Sequence, residues 1–66
     1  MTTAQQILSY YTLKNGNVEI DLLMDEAEER SCEITQDWEN EATEYDFADS
    51  SVLIVCENEV RIYAQR

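Results

Sequence analysis

Carboxylates are the reactive side chains that this sequence supplies in quantity. The 66 residues include fifteen Asp and Glu, four Lys and Arg and no His, and the formal net charge is −11. Without His, a serine or cysteine nucleophile would lack its usual general base. Gly16 is the only glycine, so no glycine-rich loop can hold a phosphate. We therefore expect a protein that is not an enzyme and carries no cofactor.

The cysteines and acids also lack the spacing of a metal site. Cys32 and Cys56 form neither a zinc-binding pattern nor a Cys-x-x-Cys pair. The segment from Asp46 to Asp49 lacks the alternating acids and the glycine of a calcium loop. We expect no dedicated metal site and two free thiols, as is usual in the cytoplasm. The absence of a signal peptide and of an 18-residue apolar run agrees with a cytoplasmic location.

The acids are concentrated in the middle of the chain. Residues 1–18 contain none, and thirteen of the fifteen lie between Glu19 and Asp49, with Arg30 as the only base among them. Such a surface repels nucleic acid and anionic membranes. Solubility requires a net charge of only about two to eight with both signs interspersed. The segregation therefore favours a surface that imitates nucleic acid and docks into the basic groove of a nucleic-acid-binding protein.

The acid-free N-terminus must supply part of the scaffold. Apolar residues at helical spacing predict a helix over residues 3–14, capped by Thr2 or Thr3. The alternative for residues 10–14 is a hairpin around an Asn15-Gly16 turn. Both elements cannot occupy the same residues, and the four-membered apolar stripe favours the helix.

A second helix is expected to carry most of the acids. The pattern predicts a helix from residue 18 to 30 and its continuation to Trp38, which would then pack in the core. The helical pattern is weakest at Ser31-Cys32, where the helix would end if it does not continue. Eight acids between residues 19 and 37 would lie along about 27 Å of helix. Their spacing would be about 3.4 Å per charge, which is the phosphate spacing of one strand of duplex DNA.

The C-terminal half predicts a three-stranded antiparallel meander. Its strands are expected at residues 43–47, 52–56 and 59–64, with a turn at Glu57-Asn58. The whole chain, residues 1–66, is then a single α+β domain in which the N-terminal helix or helices pack on the sheet. The last strand is expected at the edge of the sheet, partly guarded by its arginines.

Burial of apolar side chains fixes the expected register of the sheet. Val55 should pair with Val60, and Leu53 with Ile62. A loop at residues 49–51 would place Phe47 opposite Leu53 and Tyr45 opposite Val55. One face should then carry six apolar residues, which are Tyr45, Phe47, Leu53, Val55, Val60 and Ile62.

Residues 45–54 also carry a resemblance to a known group. Their sequence, Tyr-Asp-Phe-Ala-Asp-Ser-Ser-Val-Leu-Ile, resembles a strand–turn–strand segment of small acidic phage-encoded anti-CRISPR proteins of the type I class. The resemblance implies an inhibitor in the cytoplasm of a host bacterial cell. It further implies binding to a subunit of a type I CRISPR effector complex, at the basic surface that recognises the PAM or holds the DNA.

The predicted partner-binding residues are nine acids of the central segment. Each would offer a carboxylate to an Arg or Lys that normally grips a phosphate. They are Asp25, Glu26, Glu28, Glu29, Glu33, Asp37, Glu39, Glu41 and Glu44.

The alternative function is a small protein–protein interaction module, either toxin-neutralising or regulatory, whose acids serve only solubility. Such a module would bind through apolar anchors, for which Tyr10, Trp38 and Tyr63 are the candidates. Tyr11 belongs to the apolar stripe of the first helix and is expected in the core.

Overall fold

The computed structural model describes residues 1–57 and 59–63, in which two helices precede a four-stranded antiparallel sheet. The elements are α1 (Thr3–Tyr11), α2 (Ile20–Arg30), β1 (Glu33–Asp37), β2 (Ala42–Asp46), β3 (Val52–Val55) and β4 (Val60–Tyr63). The strands lie in chain order across the sheet. The α+β class is confirmed, and the number of strands is corrected from three to four because the sequence pattern does not predict β1.

α1 is shorter than predicted. It ends at Tyr11 instead of residue 14 because Leu13 to Gly16 form the Asn-Gly turn, in which the N–H of Gly16 donates to the carbonyl of Leu13. Thr12 and Val18 form an antiparallel bridge, and Gly16 has φ +91°, a conformation that favours glycine. Each of the two alternatives for this segment therefore holds in part, since the helix is followed directly by the turn.

α2 ends at Arg30, so its predicted continuation to residue 38 is wrong. Ser31 is the C-terminal cap and has an extended backbone, with φ −77° and ψ 151°. The β-branched residues Ile34 and Thr35 that follow favour a strand, and pairing with β2 provides hydrogen bonds on one edge of that strand. The eleven residues of α2 span only about 16 Å, so the expected 27 Å line of helical charges does not exist.

The register of the sheet is confirmed for β3 and β4 and corrected for β2. Val55 pairs with Val60, as predicted. Tyr45 lies opposite Leu53 instead of Val55, because the loop closes one residue earlier than expected. The N–H of Phe47 donates to the carbonyl of Ser51 at 3.0 Å, which places Phe47 beyond the end of β2.

This two-residue shift leaves every side chain on its predicted face, since side chains alternate with a period of two. Of the six predicted face residues, four are buried and two are partly buried against the same core. Three other predicted positions, Asn58 of the turn, Ala64 of the last strand and Arg66, lie outside the described residues. We call the side that the helices pack on the helix-covered face, and its opposite the outer face.

One apolar cluster joins the helices to the sheet. Ala4 and Ile7 of α1 and Leu23 and Ala27 of α2 pack against the helix-covered face, and Leu53 at its centre has no exposed surface. Further apolar side chains pack around this core; they are Leu8, Tyr11, Val18, Ile20, Met24, Val60 and Ile62. The predicted core position of Tyr11 is thus confirmed as partial burial.

The N-terminus of α1 is fixed by the loop between β2 and β3. Thr2 caps the helix by accepting from the N–H of Gln5 at 3.2 Å. The N–H of Thr3 donates to a carboxylate oxygen of Asp49 at 2.8 Å, and the N–H of Ala4 donates to the hydroxyl of Ser51 at 3.2 Å. Donors of the first helical turn, which have no partner within a helix, are thereby satisfied.

Candidate protein-binding surface

α2 presents most of its acids to solvent because its buried residues lie on one side. Leu23 and Ala27, four residues apart, are buried against the sheet. Positions that are three and four residues apart share one side of a helix, so acids outside that side face away from the core. The exposed acids of α2 are Asp21, Asp25, Glu28 and Glu29.

Glu26 differs from the other acids of α2, because it faces α1. One oxygen lies 3.7 Å from Nη1 of Arg30, and the other accepts from the hydroxyl of Tyr11 at 3.5 Å. Burial, and then the charge of Glu26, raise the pKa of Tyr11. Since Arg30 partly neutralises Glu26, this predicted site residue does not belong with the solvent-facing acids.

The β1–β2 hairpin, residues 33–46, carries the second group of acids. Glu33 lies opposite Asp46, and Thr35 lies opposite Glu44. Opposed residues of antiparallel strands share a face, so these side chains project from the outer face. The hairpin has six acids and no Lys or Arg; the acids are Glu33, Asp37, Glu39, Glu41, Glu44 and Asp46.

The turn of this hairpin is stabilised by one of the predicted site residues. Asp37 accepts from the side-chain amide of Asn40 at 2.7 Å and from its backbone N–H at 3.2 Å. These hydrogen bonds hold the pKa of Asp37 below its usual range. Asp37 therefore shapes the turn, while Glu39 and Glu41 are exposed on it.

Two acids of α2 lie close to Tyr45 of the β1–β2 hairpin. Burial raises the pKa of Tyr45 in β2, and the nearby carboxylates of Glu28 and Asp25 raise it further. The acids of α2 thus lie beside the helix-covered face of the β1–β2 hairpin, and Glu33 lies on its outer face. We define the acidic surface as seven exposed acids, which are Asp25, Glu28, Glu29, Glu33, Asp37, Glu39 and Glu41.

The ninth predicted site residue lies at the margin of that surface. Glu44 is partly buried on the outer face, beside Ile54 of β3. Asp46 has a similar position opposite Glu33 but is missing from the prediction. Glu44 and Asp46 are two residues apart in β2. This spacing is the sequence signal that places both side chains on one face.

Comparison of the whole chain with known proteins assigns it to no family. No family model matches it, and no curated protein or solved structure is detectably similar. The function is therefore inferred from the acidic surface itself.

The described residues form neither a metal-binding group nor a membrane-spanning helix. No three His, Cys, Asp or Glu side chains among residues 1–57 and 59–63 are grouped as a metal site would require. In the same part of the chain, neither helix has the length and apolarity needed to cross a bilayer. Cys32 and Cys56 are free thiols, which agrees with the prediction.

Three aromatic side chains are exposed among the described residues. Trp38, at the tip of the β1–β2 hairpin, is 82% exposed, so its predicted core position is wrong. That prediction depended on a helix through residue 38, and the strand places Trp38 in the turn instead. Tyr10 on α1 is 80% exposed and Tyr63 on β4 is 49% exposed. An exposed Trp is a common anchor of protein interfaces.

A groove between the helices lies apart from the acidic surface. It has a volume of about 430 Å³ and is lined by Tyr10, Tyr11, Glu26 and Arg30, among others. The rings of Tyr10 and Tyr11 meet edge to face, with centroids 4.9 Å apart. Because both charges in this groove belong to one ion pair, it offers no excess charge to a ligand.

Proposed function

We propose that this protein is a non-enzymatic inhibitor that binds the basic site of a nucleic-acid-binding protein through its acidic surface and excludes nucleic acid from it. The observation that carries the proposal is the asymmetry of charge in the fold. α2 and the β1–β2 hairpin hold eleven acids and one base, whereas α1 holds no acid. Intramolecular ion pairing therefore cannot neutralise the acidic side of the molecule.

The molecule is small, and its exposed acids lie on one short helix and one hairpin. It measures 29 × 28 × 19 Å, with the acids on α2 and the β1–β2 hairpin. A basic cleft that holds nucleic acid presents Lys and Arg to phosphates, and carboxylates can take the place of those phosphates.

A crRNA-guided surveillance complex, the partner that the resemblance implies, belongs to this class of partner. Residues 45–54, which carry the resemblance, contribute mainly to the core, since Tyr45, Phe47, Val52 and Leu53 are buried. The proposal is therefore supported by the acidic surface and not by that segment. Under this proposal the protein blocks binding of target DNA by the effector complex.

The second candidate function is favoured by the exposure of Trp38. A protein–protein interaction module with an aromatic anchor would insert Trp38 into a pocket of its partner and leave the acids in solvent. Removal of Trp38 would then abolish binding, whereas removal of charge would have little effect. A nucleic-acid mimic predicts the opposite ranking of the two changes.

The test is competition between this protein and nucleic acid for a purified DNA-binding effector complex. Glu29→Gln/Glu33→Gln removes two charges from the acidic surface, and Glu57→Gln/Glu59→Gln removes two charges from the segment between β3 and β4, which is not part of the acidic surface. Charge-assisted contacts contribute about 1.5–3 kcal/mol each before screening. The first variant should therefore inhibit DNA binding more than tenfold less well, and the second should match the wild type.

Three outcomes would reject the mimicry proposal. They are equal inhibition by both double variants, formation of the complex when DNA is already bound, and affinity that does not change as salt is raised. Loss of binding in Trp38→Ala, together with full activity of Glu29→Gln/Glu33→Gln, would establish the second candidate instead.

A further inference from the structure

The open edge of β1 is an independent binding element beside the acids. In the described part of the chain no strand lies beyond β1, and all five of its residues are exposed. An edge strand presents unpaired backbone N–H and C=O groups that can accept another strand. Alternate residues of β1 therefore offer hydrogen bonds to a segment outside this chain.

Charge decides what can occupy this edge. Glu33 and Asp37 lie on the outer face of β1, and Asp25 and Glu28 of α2 lie on its other side, beside Tyr45. A second copy of the chain is disfavoured, because antiparallel pairing of two β1 strands about their central Thr35 would place Glu33 opposite Asp37 of the second copy. Like charges directly opposite each other destabilise a strand pair.

We propose that an extended basic segment of the partner adds to β1 as a fifth strand of the sheet. This inference rests on the proposed function and specifies how the partner is held. Lys or Arg at alternate positions of the segment faces Glu33 and Asp37, and backbone hydrogen bonds fix the register. The intervening side chains face Ile34, which is 44% exposed on the helix-covered face and accepts an apolar residue.

The probe is a synthetic ten-residue peptide in which Lys alternates with Val. Its matched control has the same sequence with N-methyl groups on alternate residues, which removes backbone donors on one edge and keeps the charge. Both N-methyl phases are made, because only one edge of the peptide can pair with β1. We expect one phase to bind at least about tenfold more weakly than the unmodified peptide, since several backbone hydrogen bonds are lost together.

Two further measurements locate the binding. Amide hydrogen exchange within residues 33–37 should slow on addition of the peptide, and exchange within β4 should not change. Glu33→Lys should weaken peptide binding more than tenfold, whereas Glu57→Lys, which changes the net charge equally, should have a small effect.

The inference is overturned if both N-methyl phases bind as well as the unmodified peptide, or if protection appears on α2 or β4 with no change in β1. It is also overturned if the unmodified peptide does not bind. None of these results decides the proposed function, because competition with DNA by the whole protein is measured separately and requires only the acidic carboxylates.

Discussion

The β1–β2 hairpin and the β3–β4 hairpin belong to one sheet but differ in burial and charge. All five residues of β1 are exposed, whereas three of the four residues of β3 are buried. The first hairpin carries six acids and no base, while the described part of the second includes the ion pair of Glu59 with Arg61. The core therefore depends on β3 much more than on β1, and the side chains of β1 are available for contacts outside the chain.

The largest expected effect tests the difference in burial between β3 and β1. Leu53→Ala in β3 should reduce the free energy of unfolding by about 2–5 kcal/mol, because it leaves a cavity in a site without solvent exposure. Ile34→Ala in β1 should cost less than about 1 kcal/mol. Urea denaturation of the two variants measures both values. Similar costs would show that β1 contributes as much to the core as β3 does.

The next effect compares the loops that flank β2. Ser51→Ala removes the hydroxyl that accepts from the buried N–H of Ala4 and should cost about 1–3 kcal/mol. Asn40→Ala removes exposed hydrogen bonds to Asp37 and should cost less. Thermal unfolding measures both costs, and a larger loss of stability in Asn40→Ala than in Ser51→Ala would contradict this expectation.

The stability contributed by the β2–β3 loop should also depend on pH. Hydrogen bonds from the hydroxyl of Ser51, the N–H of Thr3 and the N–H of Ser51 hold the pKa of Asp49 far below its usual range. A carboxyl whose pKa is lower in the folded state stabilises the fold above its unfolded pKa of about 3.9 and loses that contribution as the pH falls further. Asp49→Asn should therefore lower the Tm at pH 7, and the difference from wild type should shrink below about pH 4. A difference that stays constant down to pH 2 would contradict this role for Asp49.

The smallest effect concerns the charge of the first hairpin. Glu33→Gln/Glu41→Gln should raise the Tm slightly in 10 mM NaCl, because it relieves repulsion among neighbouring acids. The gain should vanish in 300 mM NaCl, where the Debye length is shorter than about 10 Å. Glu57→Gln is the control and should show no gain. A lower Tm for the double variant at low salt would mean that these acids have stabilising partners.

β2, β3 and β4 could be predicted from the sequence, but β1 could not. The apolar run of β3 and its alternating neighbours indicate which face buries Leu53 and Val55, and β4 pairs as that face predicts. They do not fix the register of β2, because a two-residue shift keeps every side chain on the same face. β1, with the sequence Glu-Ile-Thr-Gln-Asp, buries no side chain. Its hydrophobic pattern therefore carries almost no information, and its position depends on backbone pairing with β2.

The exposure of the predicted acids follows from the sequence, but the surface they form does not. Charge segregation is visible in the sequence itself, and seven of the nine predicted residues are exposed on α2 and the β1–β2 hairpin. Their division between a short helix and a hairpin depends on where α2 ends, which Ser31 only weakly signals. The neighbours of Glu26 and the exposure of Trp38 depend on that same end point.

The contacts at the start of α1 also determine when the domain can be completed during synthesis. Thr3 and Ala4 are synthesised before their partners Asp49 and Ser51, which follow 46 and 47 residues later. The core strand β3 is made later still. A ribosome stalled before Ser51 would therefore hold a domain with an incomplete core. We expect no stable folded intermediate of residues 1–48 during synthesis.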